Sequence, residues 1–272
     1  MPARDTPGPS APVVTYLQFH LAFTVPALGA LWWLRRGSGA NAWPIAVLCA
    51  IAFAYTTPWD NYLVARGVWS YAEGRVLATV GYVPVEEYAF FVIQTIMTAL
   101  VFQVLRSRWA GVPGPPASRA VRLPAVVGFG AITAAGVAMV VSGGQWLYLG
   151  LILGWAGPVL AFMWAVSGEI LWSRRRLIAP AVALPTLYLW VADRAAIGLE
   201  VWTITRETRT GVDLLGLPIE EAVFFLVTNL MVANGMALLE PSPASILPAL
   251  RRAARERSAD ARDVAAAGLA AA

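Results

Sequence analysis

The chain has 272 residues, of which 58% are hydrophobic and 13% charged, with a formal net charge of +4. Soluble domains carry about 25% charged residues, so this balance, with a mean hydropathy of +0.63, excludes an ordinary water-soluble protein and points to an integral membrane protein. All of the basic side chains are arginine, and they sort by membrane side, so the positive charge is not the footprint of a nucleic-acid binder.

Single residues exclude more. One cysteine, Cys49, rules out an internal disulfide, and one histidine, His20, rules out a His-rich metal site. Residues 1–12 are Pro-rich with little charge bias, and no small-residue cleavage site follows the first apolar run, so that run is expected to be a retained helix.

A spanning helix needs about 20 mostly apolar residues. Seven stretches qualify in chain order: 13–34, 43–65, 83–105, 122–141, 146–166, 177–199 and 217–239. The loops then alternate between two faces. One face receives Arg35 and Arg36, Arg106 through Arg122, Arg174 to Arg176 and the arginines of the tail, 14 in all; the other receives 6. The positive-inside rule predicts a cytoplasmic C-terminus and an outside N-terminus. The tail from about Ala253 is Ala/Arg/Asp-rich and predicts a frayed or disordered end.

The chain nearly repeats itself. Pro84-Val85-Glu86-Glu87-Tyr88-Ala89-Phe90-Phe91 returns as Pro218-Ile219-Glu220-Glu221-Ala222-Val223-Phe224-Phe225. Tyr16 and Pro26 return as Tyr148 and Pro158; Tyr55, Asp60 and Trp69 return as Tyr188, Asp193 and Trp202, with an offset drifting only from 132 to 134. Each unit is three helices, and the fourth helix has no counterpart. That helix is rich in small residues (Gly128, Gly130, Ala134, Ala135, Gly136), which suits close packing. It also makes the first and fifth helices cross in the same direction. The predicted fold is therefore an all-α, seven-helix membrane bundle of two parallel repeats about an axis along the membrane normal. Its parts are 13–105, a linker with its helix at 106–145, 146–240, and a cytoplasmic tail at 241–272.

Six carboxylates fall at one predicted depth near the outer face: Asp60, Glu86, Glu87, Asp193, Glu220 and Glu221. Proline at the first helical position with Glu in the first turn is also an ordinary helix start. In a membrane helix the cost of burying the pair favours a functional use. Adjacent helix residues point about 100° apart, so the two glutamates of one motif need not share a role. Phe90, Phe91, Phe224 and Phe225 follow one turn later. They are core packing or a wall of π-faces for a transient cation. Trp69 and Trp202 read as interfacial anchors that could also border the substrate. Gln94, Thr95, Thr228 and Asn229 read as interhelical hydrogen-bonding residues, and His20, aligned with Ile152, as a satisfied interfacial histidine.

No G-x-G-x-x-G follows a strand, and there is no Walker A sequence, no Asp-rich Mg²⁺-diphosphate run and no lysine for a retinal Schiff base. With P-[VI]-E-E-x-x-F-F duplicated at helix starts, each preceded by Asp-x8-Trp, the chain resembles the membrane-integral lycopene cyclases of the heterodimer type, over about residues 13–240. The resemblance implies that the two subunit-like halves are fused in one chain. It implies acid-catalysed, cofactor-free cyclisation of lycopene ends to β-ionone rings. It also implies a carotenoid drawn from the bilayer and contact with lipid and other carotenoid-pathway enzymes, in what would be a bacterial cell membrane. Carried over residue by residue, the motif falls on Pro84, Glu86 and Glu87, and on Pro218, Glu220 and Glu221. Glu86 and Glu220 are expected to matter most, then Glu87 and Glu221, with Asp60 and Asp193 in support. A transporter or carotenoid-binding protein with an intramembrane carboxylate site is the alternative class, and a cyclase of C50 carotenoids the alternative within the class.

Overall fold

The computed structural model describes residues 14–38, 40–109 and 118–240. The predicted tail at 241–272 lies outside the described residues. The molecule is mostly helical, and its rods are α1 (Tyr16–Arg35), α2 (Trp43–Ala65), α3 (Val85–Arg108), α4 (Arg122–Ser142), α5 (Leu147–Ser173), α6 (Arg175–Gly198) and α7 (Ile219–Leu239). Five are long and apolar enough to cross a membrane: α1, α3, α7 and the rods containing α4 and α5. The tyrosines, tryptophans, prolines and buried aspartates of α2 and α6 keep these two below that measure.

Local chemistry sets the ends. Thr15 and Gln18 form a reciprocal capping box at the start of α1. A π-turn at His20–Thr24 follows, directly before Pro26. Proline crowds the carbonyl four residues back, and a widened turn relieves it. The predicted starts at residues 83 and 217 shift inward by two, because Val83–Pro84 and Leu217–Pro218 are strands. β2 (Thr79–Val80) pairs with β3 (Val83–Pro84), and β5 (Asp213–Leu214) pairs with β6 (Leu217–Pro218). Each hairpin delivers its proline to the N-cap position, one residue earlier than the sequence suggests. Beyond the last turns of α2 and α6, β1 (Trp69–Ser70) pairs antiparallel with β4 (Thr203–Ile204), tying the α2–α3 and α6–α7 loops together.

The fifth predicted span runs longer than its apolar stretch: α5 continues to Ser173 through a kink at Ser167, and only Arg174 separates it from α6. The small residues of α4 act at one point. A side chain on Gly136 would meet the α5 backbone, 2.9 Å from Gly150 O, whereas Gly128 and Gly130 face open space. Two core clusters stack along the bundle. One is aromatic and lies under the β1–β4 pair, and the other is aliphatic. Beyond the aliphatic core, Glu240 is buried and receives Gln103 Nε2 at 2.5 Å and Arg106 Nε at 2.7 Å. Arg174 closes the end of α7 by donating to Ala237 O and Glu240 O.

Candidate active site

All six carboxylates singled out from the sequence are buried, between 0% and 7% exposed. They do not share one environment. Glu87, Glu221 and Asp193 line a cavity of about 300 Å³ whose remaining wall is Tyr16, Trp69, Tyr71, Phe90, Trp202, Phe224 and Phe225. No basic side chain is part of that wall. Tyr16 Oη donates to Glu87 Oε2 at 2.6 Å, and Tyr148 Oη donates to Glu221 Oε1 at 2.6 Å. Both bonds are short for a hydroxyl donor. They fix where each carboxyl oxygen points.

Glu86 and Glu220 are used differently. Glu86 Oε1 accepts from Leu77 N at 2.8 Å, and Glu220 Oε1 accepts from Thr210 N at 2.6 Å. Neither glutamate caps its own helix. Each pins the loop that leads into its hairpin. Neighbouring side chains on a helix diverge by about 100°, and it is the second glutamate of each motif that faces the cavity.

Asp60 is fully buried and neither of its oxygens is hydrogen-bonded; Asp193 Oδ2 and the second oxygens of Glu86 and Glu220 are likewise without partners. Buried polar atoms of this kind are costly, and in a native structure they call for a reason such as catalysis. Asp60 is not part of the cavity wall, whereas Asp193 is.

The aromatics divide as well. Phe90, Phe224 and Phe225 border the carboxyl cavity; Phe91 does not, and turns instead to a second, larger cavity. Trp69 is buried rather than anchored at a surface, edge-on to Tyr148 at 5.5 Å and to Phe224 at 6.2 Å. Trp202 packs on Tyr16 at 4.9 Å and on Phe19 at 5.1 Å. His20 is satisfied, with Nε2 3.0 Å from Glu86 O and Nδ1 3.2 Å from Thr24 Oγ1, and it stacks on Tyr16 at 4.7 Å. Gln94, Thr98 and Asn229 join α3 to α7, and Asn229 reaches Thr186 of α6 at 2.9 Å.

Sequence reasoning missed the phenols as site residues. Tyr16 and Tyr148 were legible as a repeated pair in the first turns of α1 and α5, and that was the available signal. Tyr71, which donates to Glu87 Oε2 at 3.1 Å, carries no such mark, because Ile204 stands at the corresponding place. Trp59 and Trp155, stacked at 4.6 Å beside Phe224, also emerge only in three dimensions. Among the described residues, no group of three or more His, Cys, Asp or Glu is arranged to hold a metal ion.

Comparison with known proteins adds a chemical context. Residues 13–105 and 145–239 match the family model described as lycopene cyclase. The chain is 43% identical over 230 residues to the lycopene beta-cyclase of Halobacterium salinarum, spanning 82% of this chain and 95% of that protein. It is 35% identical over 252 residues to the bifunctional lycopene cyclase/phytoene synthase of Arthroderma gypseum, and 38% identical over 227 residues to that of Phycomyces blakesleeanus. It spans only 42% and 38% of those two proteins. No solved structure matches.

Proposed function

We infer that this chain, which belongs to the lycopene cyclase family, is a carotenoid cyclase that closes β-ionone rings on the ends of lycopene. The reaction is an isomerisation. A proton adds to the terminal double bond of the acyclic end, the neighbouring alkene attacks the resulting cation, and loss of a second proton leaves the ring double bond. Atoms balance without an oxidant or a reductant.

The observation that carries the mechanism is the pair of tyrosine-held carboxyls, Glu87 and Glu221, on one aromatic wall with Asp193. One carboxyl delivers the proton and another removes it, since carboxyls in contact share protons as coupled groups do. Phe90, Phe224, Phe225, Trp69 and Trp202 present π-faces to the intermediate cation. Tyr16 and Tyr148 position the acids, Asp60 and Asp193 support them, and Glu86 and Glu220 hold the covering loops.

Two parallel three-helix repeats in a bundle of seven spanning helices supply one composite site, as in the heterodimer-type enzymes with both halves fused. Several pairings support that reading. Ser70 pairs with its own counterpart Thr203 across β1–β4, and Gln94 donates to its own counterpart Thr228 at 2.6 Å, as expected for residues lying on a pseudo-twofold axis. Tyr55 Oη reaches Trp155 O at 2.9 Å, while Tyr188 Oη reaches Phe23 O at 2.6 Å, the same contact with the halves exchanged. The substrate enters from the bilayer, and lipid and other enzymes of carotenoid synthesis are the partners. The site lies toward the outer face with the C-terminus in the cytoplasm. Reporter fusions at residue 110 and residue 205 should read cytoplasmic and external; the opposite result would reverse the orientation.

The functional test is expression of the full chain in lycopene-accumulating cells, followed by pigment separation and turnover in detergent. Cyclised product in both settings is expected. Unchanged lycopene with the protein present in the membrane would overturn the reading, and turnover in detergent separates an enzyme from a transporter.

A further inference from the structure

The carboxyl cavity, with about 300 Å³ of empty space including its open side, is far too small for a whole carotenoid. At the packing density of a protein interior a C40 chain occupies roughly 800 Å³. The remainder of the chain must therefore lie elsewhere while its end reacts. A second cavity of about 770 Å³ lies between α2, α3, α5 and α7, and Phe224 belongs to the walls of both cavities.

This second cavity has the properties a polyene requires. Along α7 it extends from Phe224 to Val232, and along α5 from Trp155 to Met163. Eight residues of helix make about 12 Å, directed away from the carboxyls. Gln94, Thr95 and Thr228 of its wall are hydrogen-bonded within the protein. Thr95 Oγ1 donates to Phe91 O at 2.8 Å, Thr228 Oγ1 donates to Phe224 O at 2.7 Å, and Gln94 Nε2 is spent on Thr228. At its side, Ile51 is 57% exposed and Tyr55 39% exposed, so the cavity borders the surface that a bilayer would cover. The other half differs. The residues corresponding to Val159 and Met163 are Ala27 and Leu31, and neither is part of the wall of this cavity.

We propose that the cavity between α2, α3, α5 and α7 is the subsite for the polyene chain of the substrate, entered from the bilayer beside Ile51, with Phe224 as the partition between chain and reacting end. The proposal rests on the cyclase reading above. It makes Val159 and Val232 determinants of substrate length rather than of chemistry, because they line the chain subsite and lie away from Glu87 and Glu221.

The test uses the full chain in detergent or membranes. Val159→Trp fills the subsite. Lycopene turnover should fall by about tenfold or more through KM, the scale at which pocket shape discriminates substrates. A ten-carbon acyclic terpene with the same end group, too short to reach Val159, should keep its parental rate. Equal losses on both substrates, or undiminished lycopene turnover in a folded variant, would overturn the proposal. A second measurement needs no turnover. In a Cys49→Ser background, Val159→Cys should be alkylated more slowly when lycopene is present, and an unchanged rate would count against the subsite. Protection of that cysteine in a parent that fails to cyclise lycopene would sustain the subsite while removing the cyclase reading.

Discussion

The two halves of the molecule make the same bond and surround it differently. In the first half Glu87 is held by Tyr16 at 2.6 Å and by Tyr71 at 3.1 Å, with His20 stacked on Tyr16. In the second half Glu221 is held by Tyr148 alone among the tyrosines, and Ile152 takes the place of His20. The lesson is that duplication preserves the position of a carboxyl, while single substitutions around it create unequal partners. An acid and a base need that inequality if they serve one site.

The largest effects should come from the cavity glutamates themselves. Glu87→Gln and Glu221→Gln should each lower lycopene turnover by about 10²–10⁴-fold, the usual worth of a positioned acid or base. Glu86→Gln and Glu220→Gln should keep much more of the activity and lose stability instead. The amide oxygen of Gln still accepts from the part-buried N–H of Leu77 or Thr210, so the bond is weakened rather than removed, at a cost of about 1 kcal/mol, readable as a lower unfolding temperature in detergent. If Glu86→Gln were as inactive as Glu87→Gln, the loop role assigned to Glu86 would be wrong.

Separating the halves sharpens the comparison next. Residues 1–120 and 121–272 expressed alone should be inactive, and together they should recover cyclisation, because Glu87 and Glu221 wall the same cavity. Full activity from either fragment alone would show two independent sites.

The phenols give a smaller, graded contrast. Tyr148→Phe takes from Glu221 its tyrosine partner and should cost about tenfold, since one hydrogen bond to a charged group is worth about 1.5–3 kcal/mol. Tyr71→Phe leaves Glu87 with Tyr16 and should cost only about twofold, because the stronger of its two bonds survives. Equal losses in the two variants, measured as initial rates, would mean that the halves are equivalent after all.

The smallest effect is one of order. If the chain of the substrate binds only in the subsite beside α5, its second end must be presented in a new binding event. A monocyclic carotenoid should then accumulate transiently when lycopene is in excess. Its absence at every time point would indicate that both ends react without release.

Much of this was written in the chain. Apolar run lengths marked the helical rods to within a few residues, except at the end of α5, which runs on to Ser173, because hydropathy is a local property. The duplicated Pro-x-Glu-Glu and the Asp-x8-Trp spacing marked the carboxylates, since buried charge in an oily context is rarely incidental. The tertiary structure decided where those residues face. Only packing selects which of two adjacent glutamates turns to the cavity, and loop contacts from Leu77 and Thr210 draw Glu86 and Glu220 away. Tyr16 and Glu87 are 71 residues apart, and Tyr148 and Glu221 are 73 apart, so no local pattern joins them. The second cavity has no sequence signature at all. It is assembled from side chains of four helices, Leu48 of α2, Phe91 of α3, Val159 of α5 and Val232 of α7 among them, so helix placement and not the character of any one residue creates it.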